Sequence, residues 1–279
     1  PFLIMMQSFE AQDGARLVFD DEGEGYPLLG LAGLTRDARD FDYLAPHLPK
    51  QMRFIRLDAR GRGRSQWTGA ASYTLAQEAD DVLRLLDVLD LPQVAIIGSS
   101  RGGLLGMFLA ATHPDRVKGL CFIDVGPQLN PEGMKRIAQY VGVKPDLLTL
   151  EEIALRMPKV KPGFEQVSAS RWSEEAQRHY VQCDDHVCLP YDPEIRTALL
   201  AALEAPPVDL WPLFDACKGL PLAVIRAQHS DVLARETVLE MQRRVPELCI
   251  AEIPKRGHVP FLDEPESLDC IHTWIDKLC

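Results

Sequence analysis

The stretch VAIIGSSRGGLLGMFLAAT, residues 94–112, decides how this chain folds. A short apolar run at 94–97 leads into the pentapeptide GSSRG at 98–102, and a helix-like apolar run follows at 104–112. A serine at the centre of this spacing is typical of a sharp strand-to-helix turn, because small residues two before and two after it let both elements approach closely. Ser100 is therefore a candidate nucleophile, with an ordinary turn serine as the alternative interpretation.

The composition is that of an ordinary globular protein. The chain has 279 residues, of which 46% are hydrophobic and 25% charged, and these values disfavour the disordered and membrane classes. No apolar run approaches the length of a membrane span, and a formal net charge of -11 argues against a surface that neutralises nucleic-acid phosphates. We therefore expect a small-molecule substrate, no nucleic-acid or membrane partner, and a monomer or homodimer.

The cysteines and residues 1–6 indicate in which cellular compartment the protein is expected. Seven cysteines are an odd number without metal-finger spacing, which favours reduced thiols in a cytoplasmic protein. Residues 1–6 are apolar but lack the basic flank and the length of a signal peptide. The segment 183–188, in which two cysteines enclose Asp184, Asp185 and His186, is interpreted as a polar loop rather than a metal cluster. We expect neither a metal nor a cofactor.

Repeated apolar runs predict a sheet. They alternate with helical patterns such as 74–89, where apolar residues trace one face and Thr74 with Gln77 matches a capping box. Near-continuous apolar strands separated by helices indicate a parallel sheet covered on both faces. The runs lie at residues 16–19, 28–31, 54–57, 94–97, 120–123, 222–225 and 249–253.

Between residues 128 and 212 the pattern changes to helical segments without convincing strands. We expect a helical cap over one end of the sheet, inserted into a core domain of residues 1–127 and 213–279. Ligands of open α/β sheets bind at the carboxyl ends of the strands, so the insertion would act as a lid. Six of its side chains are candidates to bind a carboxylate or an aromatic group, with a solvated face as the alternative. They are Arg136, Arg171, Trp172, His179, Tyr180 and Arg196.

A serine hydroxyl needs a base within hydrogen-bond reach, and His258 is the best candidate. It lies in RGHVP (256–260), beyond the last strand-like run and before the final helix, where a loop can reach the other strand ends. Two aspartates at strand ends are candidates to orient it, and both preserve the order Ser-Asp-His. Asp124 directly follows the run 120–123, and Asp231 follows the run 222–225.

Three motifs resemble the α/β-hydrolase fold superfamily, in particular its serine esterase and lactonase-like branch: GSSRG (98–102), DARGRGRS (58–65), and GH (257–258) with the DEP that follows at 263–265. The resemblance covers the chain outside the insertion. It implies a mostly parallel eight-stranded sheet flanked by helices, a triad in the order Ser-acid-His, and a helical cap.

The resemblance also bears on the acid. The superfamily commonly places its acid three residues after a small residue at the end of the later strand. Counted from Ala227, that position is occupied here by Ser230, and Asp231 lies one residue beyond it. A smaller esterase branch is similar to this chain in Ile123-Asp124-x-x-Pro127, and its earlier aspartate is the acid. We prefer Asp124 and keep Asp231 as the alternative.

Two backbone amides are the expected oxyanion hole. The resemblance assigns one donor to Arg101, which follows the nucleophile, and the second to Leu34, which follows Gly33. Ala32 stands where the family frequently has histidine, so the support of that loop must differ. The same resemblance assigns Arg60 to a structural turn rather than to phosphate binding.

The expected activity is cofactor-independent hydrolysis of a carboxylic ester or lactone of a small molecule, through an acyl-enzyme on Ser100. Related sites cleave carbon–carbon or amide bonds, and a non-catalytic ligand-binding member of the fold is a further alternative. Haloalkane dehalogenases and epoxide hydrolases are disfavoured because they resemble this pattern only with aspartate at the position of Ser100.

Overall fold

The computed structural model describes residues 5–278, and within them eight strands form one sheet. The strands are β1 (Met5–Glu10), β2 (Arg16–Glu22), β3 (Tyr26–Leu31), β4 (Met52–Asp58), β5 (Val94–Ser99), β6 (Val117–Ile123), β9 (Leu222–Ala227) and β10 (Cys249–Ile253), while β7 (Val181–Gln182) and β8 (Val187–Cys188) form a separate hairpin. Along the sheet the strand order is β1-β2-β4-β3-β5-β6-β9-β10; β2 runs antiparallel to both of its neighbours, and the pairs from β4 to β10 are parallel.

The predicted mostly parallel eight-stranded sheet is confirmed, and each of the seven predicted runs lies in one of its strands. The eighth strand, β1, was not predicted, although it pairs with β2 along its whole length. An edge strand is buried on one side only, so its apolar pattern is weaker than that of a central strand. Residues 1–4 of the apolar opening lie outside the described part of the chain.

Nine α-helices lie within residues 5–278, and helices cover both faces of the sheet. The helices are α1 (Leu75–Val88), α2 (Arg101–Thr112), α3 (Pro131–Tyr140), α4 (Leu150–Val160), α5 (Ala169–His179), α6 (Ile195–Glu204), α7 (Trp211–Ala216), α8 (Arg235–Arg244) and α9 (Pro265–Ile275). Successive strand residues point to opposite faces, so Ile96 belongs to the apolar cluster that includes residues of α1, α2, α7 and α8, while Ile97 belongs to the cluster that includes residues of α9.

The structure shows the Thr74 half of the capping box predicted for α1. Thr74 has extended backbone angles, and its hydroxyl accepts a hydrogen bond from the amide of Gln77 at 3.2 Å. Such a cap satisfies one of the amides that the first turn of a helix leaves without a partner.

The segment between β6 and α7 contains α3 to α6 and the hairpin β7–β8. It has a small apolar core of its own, in which Trp172 and Ala176 of α5 pack against Ile153 of α4 and Val187 of β8. The hairpin was missed because strands of two residues leave too short a pattern to recognise.

One expectation about the cysteines is wrong. Cys183 and Cys188 form a disulfide, because the hairpin brings their Cα atoms to 6.0 Å. The polar loop is therefore a closed hairpin loop, and in this form it offers no thiolate to a metal. Counting cysteines missed the pair, since pairing depends on where the backbone places them; Cys279 lies outside the described residues.

Among residues 5–278, no helix is both long enough and apolar enough to cross a lipid bilayer.

Candidate active site

Ser100 lies between β5 and α2, at the carboxyl edge of the sheet. Its backbone has φ 48° and ψ -113°, a conformation outside both helix and strand that turns the chain sharply. Gly98 and Gly102, two residues before and after Ser100, leave no room for a side chain. A Cβ on Gly98 would collide with the carbonyl of Gly102, and a Cβ on Gly102 would collide with the carbonyl of Leu31. The spacing read from the sequence therefore has a steric cause.

His258 contacts both of its predicted partners. Its Nε2 lies 2.9 Å from the Oγ of Ser100, and its Nδ1 lies 2.7 Å from Oδ2 of Asp124. The Asp124 side chain is fully buried, and its other oxygen accepts a hydrogen bond from the amide of Ala227 at 2.8 Å. With a proton on Nδ1, the imidazole donates to the carboxylate and leaves Nε2 free to accept the serine proton.

Asp231 lies elsewhere. It forms an ion pair with Arg136 of α3 at 2.9 Å. It does not cap α8, because the N-cap there is Ala234, and the amides before the helix are held by the hydroxyl of Ser230 instead. The structure thus brings Asp124, and not Asp231, to His258.

Of the two amides expected to form an oxyanion hole, one directly follows Ser100 and the other belongs to the loop after β3. Arg101 is the first residue of α2, where backbone N–H groups have no partner within the helix and the helix dipole favours negative charge. The second amide is that of Leu34. Its neighbour Gly33 lies against the nucleophile, since a Cβ on Gly33 would be 3.8 Å from the Cβ of Ser100.

A buried ionic network, which the sequence analysis missed, joins these two backbone segments. Glu78 of α1 accepts hydrogen bonds from Nη1 of Arg62 at 2.7 Å and from Nε of Arg101 at 2.8 Å. Nε of Arg62 in turn donates to the carbonyl of Leu34 at 2.8 Å. Glu78 links the residue after the nucleophile to the loop that carries the second amide.

The charge state of this network follows from its surroundings. Burial acts to raise the pKa of Glu78, but the charges of Arg62 and Arg101 outweigh it and hold the pKa below its ordinary value. A cavity of about 10 Å³ beside the three side chains, lined also by Gly33, has room for about one water molecule. The only feature of the sequence that pointed to this network was an acidic residue, Glu78, next to the apolar face of α1.

Arg60 is structural, as expected. Its guanidinium is fully buried, contacts Asp81 through Nε at 2.6 Å, and contacts Asp13 through Nη1 at 2.9 Å. With its donors directed at these carboxylates, it holds the turn after β4 against α1.

The candidate substrate-binding side chains of the insertion are largely engaged in contacts of their own. Trp172 is 5% exposed and lies in the core of the insertion, with Tyr180 packed beside it. His179 contacts Lys161 and Glu175. The arginines are paired as follows: Arg136 with Asp231, Arg171 with Asp263, and Arg196 with the carbonyls of Ala138 and Val141.

Comparison with known families supports the observed fold. A family model described as alpha/beta hydrolase fold matches residues 26–155. The chain is 36% identical over 245 residues to a 3-hydroxybutyrate-oligomer hydrolase of Cupriavidus necator, a match that covers 85% of this chain and 83% of that protein.

Solved structures agree. A crystal structure of an alpha/beta hydrolase from Novosphingobium aromaticivorans superposes with a TM-score of 0.92 at 34% identity and covers 98% of both chains. The structure of E-2-(acetamidomethylene)succinate hydrolase has a TM-score of 0.84 at 21% identity, covering 98% of this chain and 99% of the other, and shows a shared fold.

Proposed function

The chain belongs to the α/β-hydrolase fold superfamily and is a hydrolase, and from that premise we propose that it cleaves a carboxylic ester or lactone of a small molecule through an acyl-enzyme on Ser100. The observation that carries the proposal is the continuous hydrogen-bonded chain from Ser100 Oγ to His258 and on to Asp124, at 2.9 and 2.7 Å. An ester is favoured because the relative at 36% identity is named for hydrolysis of 3-hydroxybutyrate oligomers, which are joined by ester bonds.

In the proposed reaction, His258 accepts the proton of Ser100 while Oγ attacks the ester carbonyl. The tetrahedral oxyanion accepts hydrogen bonds from the amides of Arg101 and Leu34. Asp124 holds the imidazole and stabilises its protonated form. His258 then donates the proton to the leaving alcohol, and the acyl group stays on Ser100.

Water completes the cycle. His258 takes a proton from a water molecule that attacks the acyl-enzyme, and the acid is released as Oγ regains its proton. Each turnover consumes one ester and one water and yields one acid and one alcohol; a lactone yields a single hydroxy acid.

We further propose that residues 128–212 are a cap over this site, and that residues 1–127 and 213–279 are the core. The segment after α4 supports this, because it packs on the loop that carries His258. A Cβ on Gly163 would lie 3.1 Å from the Cα of Gly257, and the amide of Glu165 donates to the carbonyl of Lys255 at 3.1 Å. A cap in this position would limit the size of the acyl and alcohol groups admitted.

The test is hydrolysis of 4-nitrophenyl butyrate by the whole chain and by Ser100→Ala. We expect kcat/KM to fall by at least about 10³-fold, because no other group replaces the nucleophile. Ser99→Ala, which removes the neighbouring hydroxyl at the end of β5, is the matched control and is expected to stay within tenfold of the unchanged protein. A fluorophosphonate should label a peptide containing Ser100.

Two outcomes would contradict the proposal. One is comparable ester turnover in Ser100→Ala and Ser99→Ala. The other is no turnover by the unchanged protein across a panel of short esters and lactones.

A further inference from the structure

A cluster of charged side chains lies buried between the loop after β3 and residues 161–179. Arg36, on that loop, has a side chain 13% exposed, and its Nε and Nη2 both contact Oδ1 of Asp40 at 2.7 Å. Its third nitrogen, Nη1, is inaccessible to solvent and donates to no acceptor among residues 5–278. Leaving a buried charged donor without an acceptor is costly, so Nη1 points to a partner outside the chain.

Lys161 supplies a second cation. Its Nζ lies 3.0 Å from Nε2 of His179, and within the described residues it forms no ion pair with a carboxylate. Burial, together with the charge of Arg36, lowers the pKa of Lys161 to about 8. Burial and the same two cations hold the pKa of His179 well below its ordinary value, although Glu175 lies 3.2 Å away, so the imidazole is neutral at pH 7.

Both cations lie next to the candidate active site. A Cβ on Gly33 would lie 3.3 Å from Cγ of Arg36 and 3.8 Å from the Cβ of Ser100, so the stem of Arg36 and the nucleophile both border Gly33. Lys161 directly follows α4 and precedes the Pro162–Gly163 corner that packs on the loop of the candidate base. Arg36 is thus anchored on the loop beside Ser100, and Lys161 belongs to the segment that packs on the loop of His258.

We propose that Nη1 of Arg36 and Nζ of Lys161 bind a free carboxylate of the substrate, on the side of the leaving alcohol. The preferred substrate is then an ester of a short hydroxy acid whose own carboxylate is free. This inference rests on the proposed ester hydrolysis. The alcohol side is chosen because Lys161 adjoins the loop of His258, the residue that protonates the leaving group.

The charges present favour a carboxylate over a phosphate. Asp40 pairs with Arg36, and Glu175 also lies within the cluster, so two carboxylates would repel a dianion more strongly than a monoanion. A carboxylate carries a single charge, and its two oxygens match two separate donors. The relative named for 3-hydroxybutyrate oligomers is consistent with this class, since the linear oligomers of a hydroxy acid end in a free carboxylate.

The experiment compares 3-acetoxybutyrate with its neutral carboxamide, which differ only at the proposed anchor. The readout is acetate release, expressed as the ratio of kcat/KM for the acid to that for the amide, so that any general loss of activity cancels. We expect the unchanged protein to favour the acid by roughly 10- to 100-fold, and Arg36→Gln and Lys161→Met each to lower the ratio by about tenfold. Lys159→Met, which removes an exposed lysine from the last turn of α4, is the matched control and should leave the ratio unchanged.

A pH profile separates binding from a structural role. Above pH 8 Lys161 loses its charge in the free enzyme, so the ratio should fall as pH rises through about 8, and Lys161→Arg should keep the ratio to higher pH. The groups facing Lys161 are Arg36, Asp40, Glu175 and His179. A ratio near one in the unchanged protein, or one that neither Arg36→Gln nor Lys161→Met alters, would overturn the inference.

Failure of this inference differs from failure of the proposed function. Ser100-dependent hydrolysis of 4-nitrophenyl butyrate with an acid-to-amide ratio near one overturns the anchor alone. If no ester is turned over, calorimetric binding of 3-acetoxybutyrate to Ser100→Ala decides the anchor separately. Binding that Lys161→Met abolishes supports it, and binding unaffected by Lys161→Met overturns it.

Discussion

Ser100 and Asp124 share an uncommon backbone conformation, with φ of 48° and 52° at the ends of the neighbouring strands β5 and β6. Neither residue is a glycine, so each position costs on the order of 1 kcal/mol or more. Such strain is retained when it places a side chain for function. Here it directs both side chains toward His258, and the amide of Asp124 is held by the carbonyl of Ile225 at 2.7 Å.

Replacement of the two aspartates distinguishes their roles. Asp124→Asn keeps the size of the side chain but removes the charge that stabilises the imidazolium, and we expect kcat for 4-nitrophenyl butyrate to fall by about 10³- to 10⁴-fold. Asp231→Asn breaks only the partly exposed ion pair with Arg136 and should change kcat less than fivefold. Steady-state kinetics of both variants check this, and a larger loss in Asp231→Asn would reverse the assignment.

Glu78 is a positioning residue, since it touches Arg62 and Arg101 rather than the reacting atoms. Glu78→Gln leaves two arginines without their shared buried carboxylate, at an expected cost of about 3–5 kcal/mol in the free energy of unfolding at pH 7. We also expect kcat to fall about tenfold with little change in KM, because an oxyanion-hole amide acts in the transition state. Urea unfolding and kinetics measure the two effects; Glu132→Gln, whose side chain is 75% exposed, is the control.

The pH dependence of the Glu78 effect has a definite sign. The folded-state pKa of Glu78 is lowered, so its stabilisation is fully present above the ordinary pKa of a glutamate, about 4.3, and is lost as pH falls toward the lower folded value. The difference in unfolding free energy between the unchanged protein and Glu78→Gln should therefore be constant from pH 6 to 8 and shrink below about pH 4. A difference that grew on acidification would contradict the network.

At the scale of elements, the β5–turn–α2 unit is set by close backbone approach. Gly102 lies in the first turn of α2, and a Cβ there would collide with the carbonyl of Leu31 on β3. Because backbone atoms cannot move aside as a flexible side chain does, helix and strand would have to separate. The same approach brings α2 near the loop that carries Leu34, so packing and the oxyanion hole depend on one glycine.

Gly102→Ala should therefore lower the free energy of unfolding by about 2 kcal/mol or more, since overpacking forces a backbone shift. Gly14→Ala is the contrast: its φ is 83° but nothing lies within 4 Å of an added Cβ, so only backbone strain of about 1 kcal/mol is expected. Urea unfolding of both variants measures the difference. Equal losses would show that the turn tolerates a wider spacing between α2 and β3.

At the scale of the whole molecule, the net charge of -11 does not show that several arginines are buried in ion pairs. Arg56, Arg60 and Arg62 have side chains at most 2% exposed, and they pair with Asp42, Asp81 and Glu78 respectively. The insertion is tied to the core in the same way, by Arg171 with Asp263 at 2.5 Å and by Arg39 with the carbonyl of Gln177 at 2.8 Å. Basic residues here join segments that are distant in sequence.

The features predicted from the sequence are those that neighbouring residues determine. Apolar runs of about four residues and the helical face of α1 reflect the periods of strand and helix, so seven strands were predicted. The spacing around Ser100 reflects a local steric need, which made the turn recognisable. Together with the motifs at 58–65 and 257–258, it gave the resemblance from which the whole fold was predicted. The order of Ser100 and His258 along the chain followed from the same local signals.

Tertiary structure alone decided the features that depend on contacts between distant segments. Asp124 and Asp231 both end or follow a strand, and only the path of the loops brings one of them to His258. The Glu78 network, the Arg36 and Lys161 cluster and the Cys183–Cys188 disulfide likewise depend on where the backbone carries each residue. Local periodicity indicates on which face of a helix or strand a side chain lies. The residue that it contacts there depends on the packing of segments that can be over 100 residues apart.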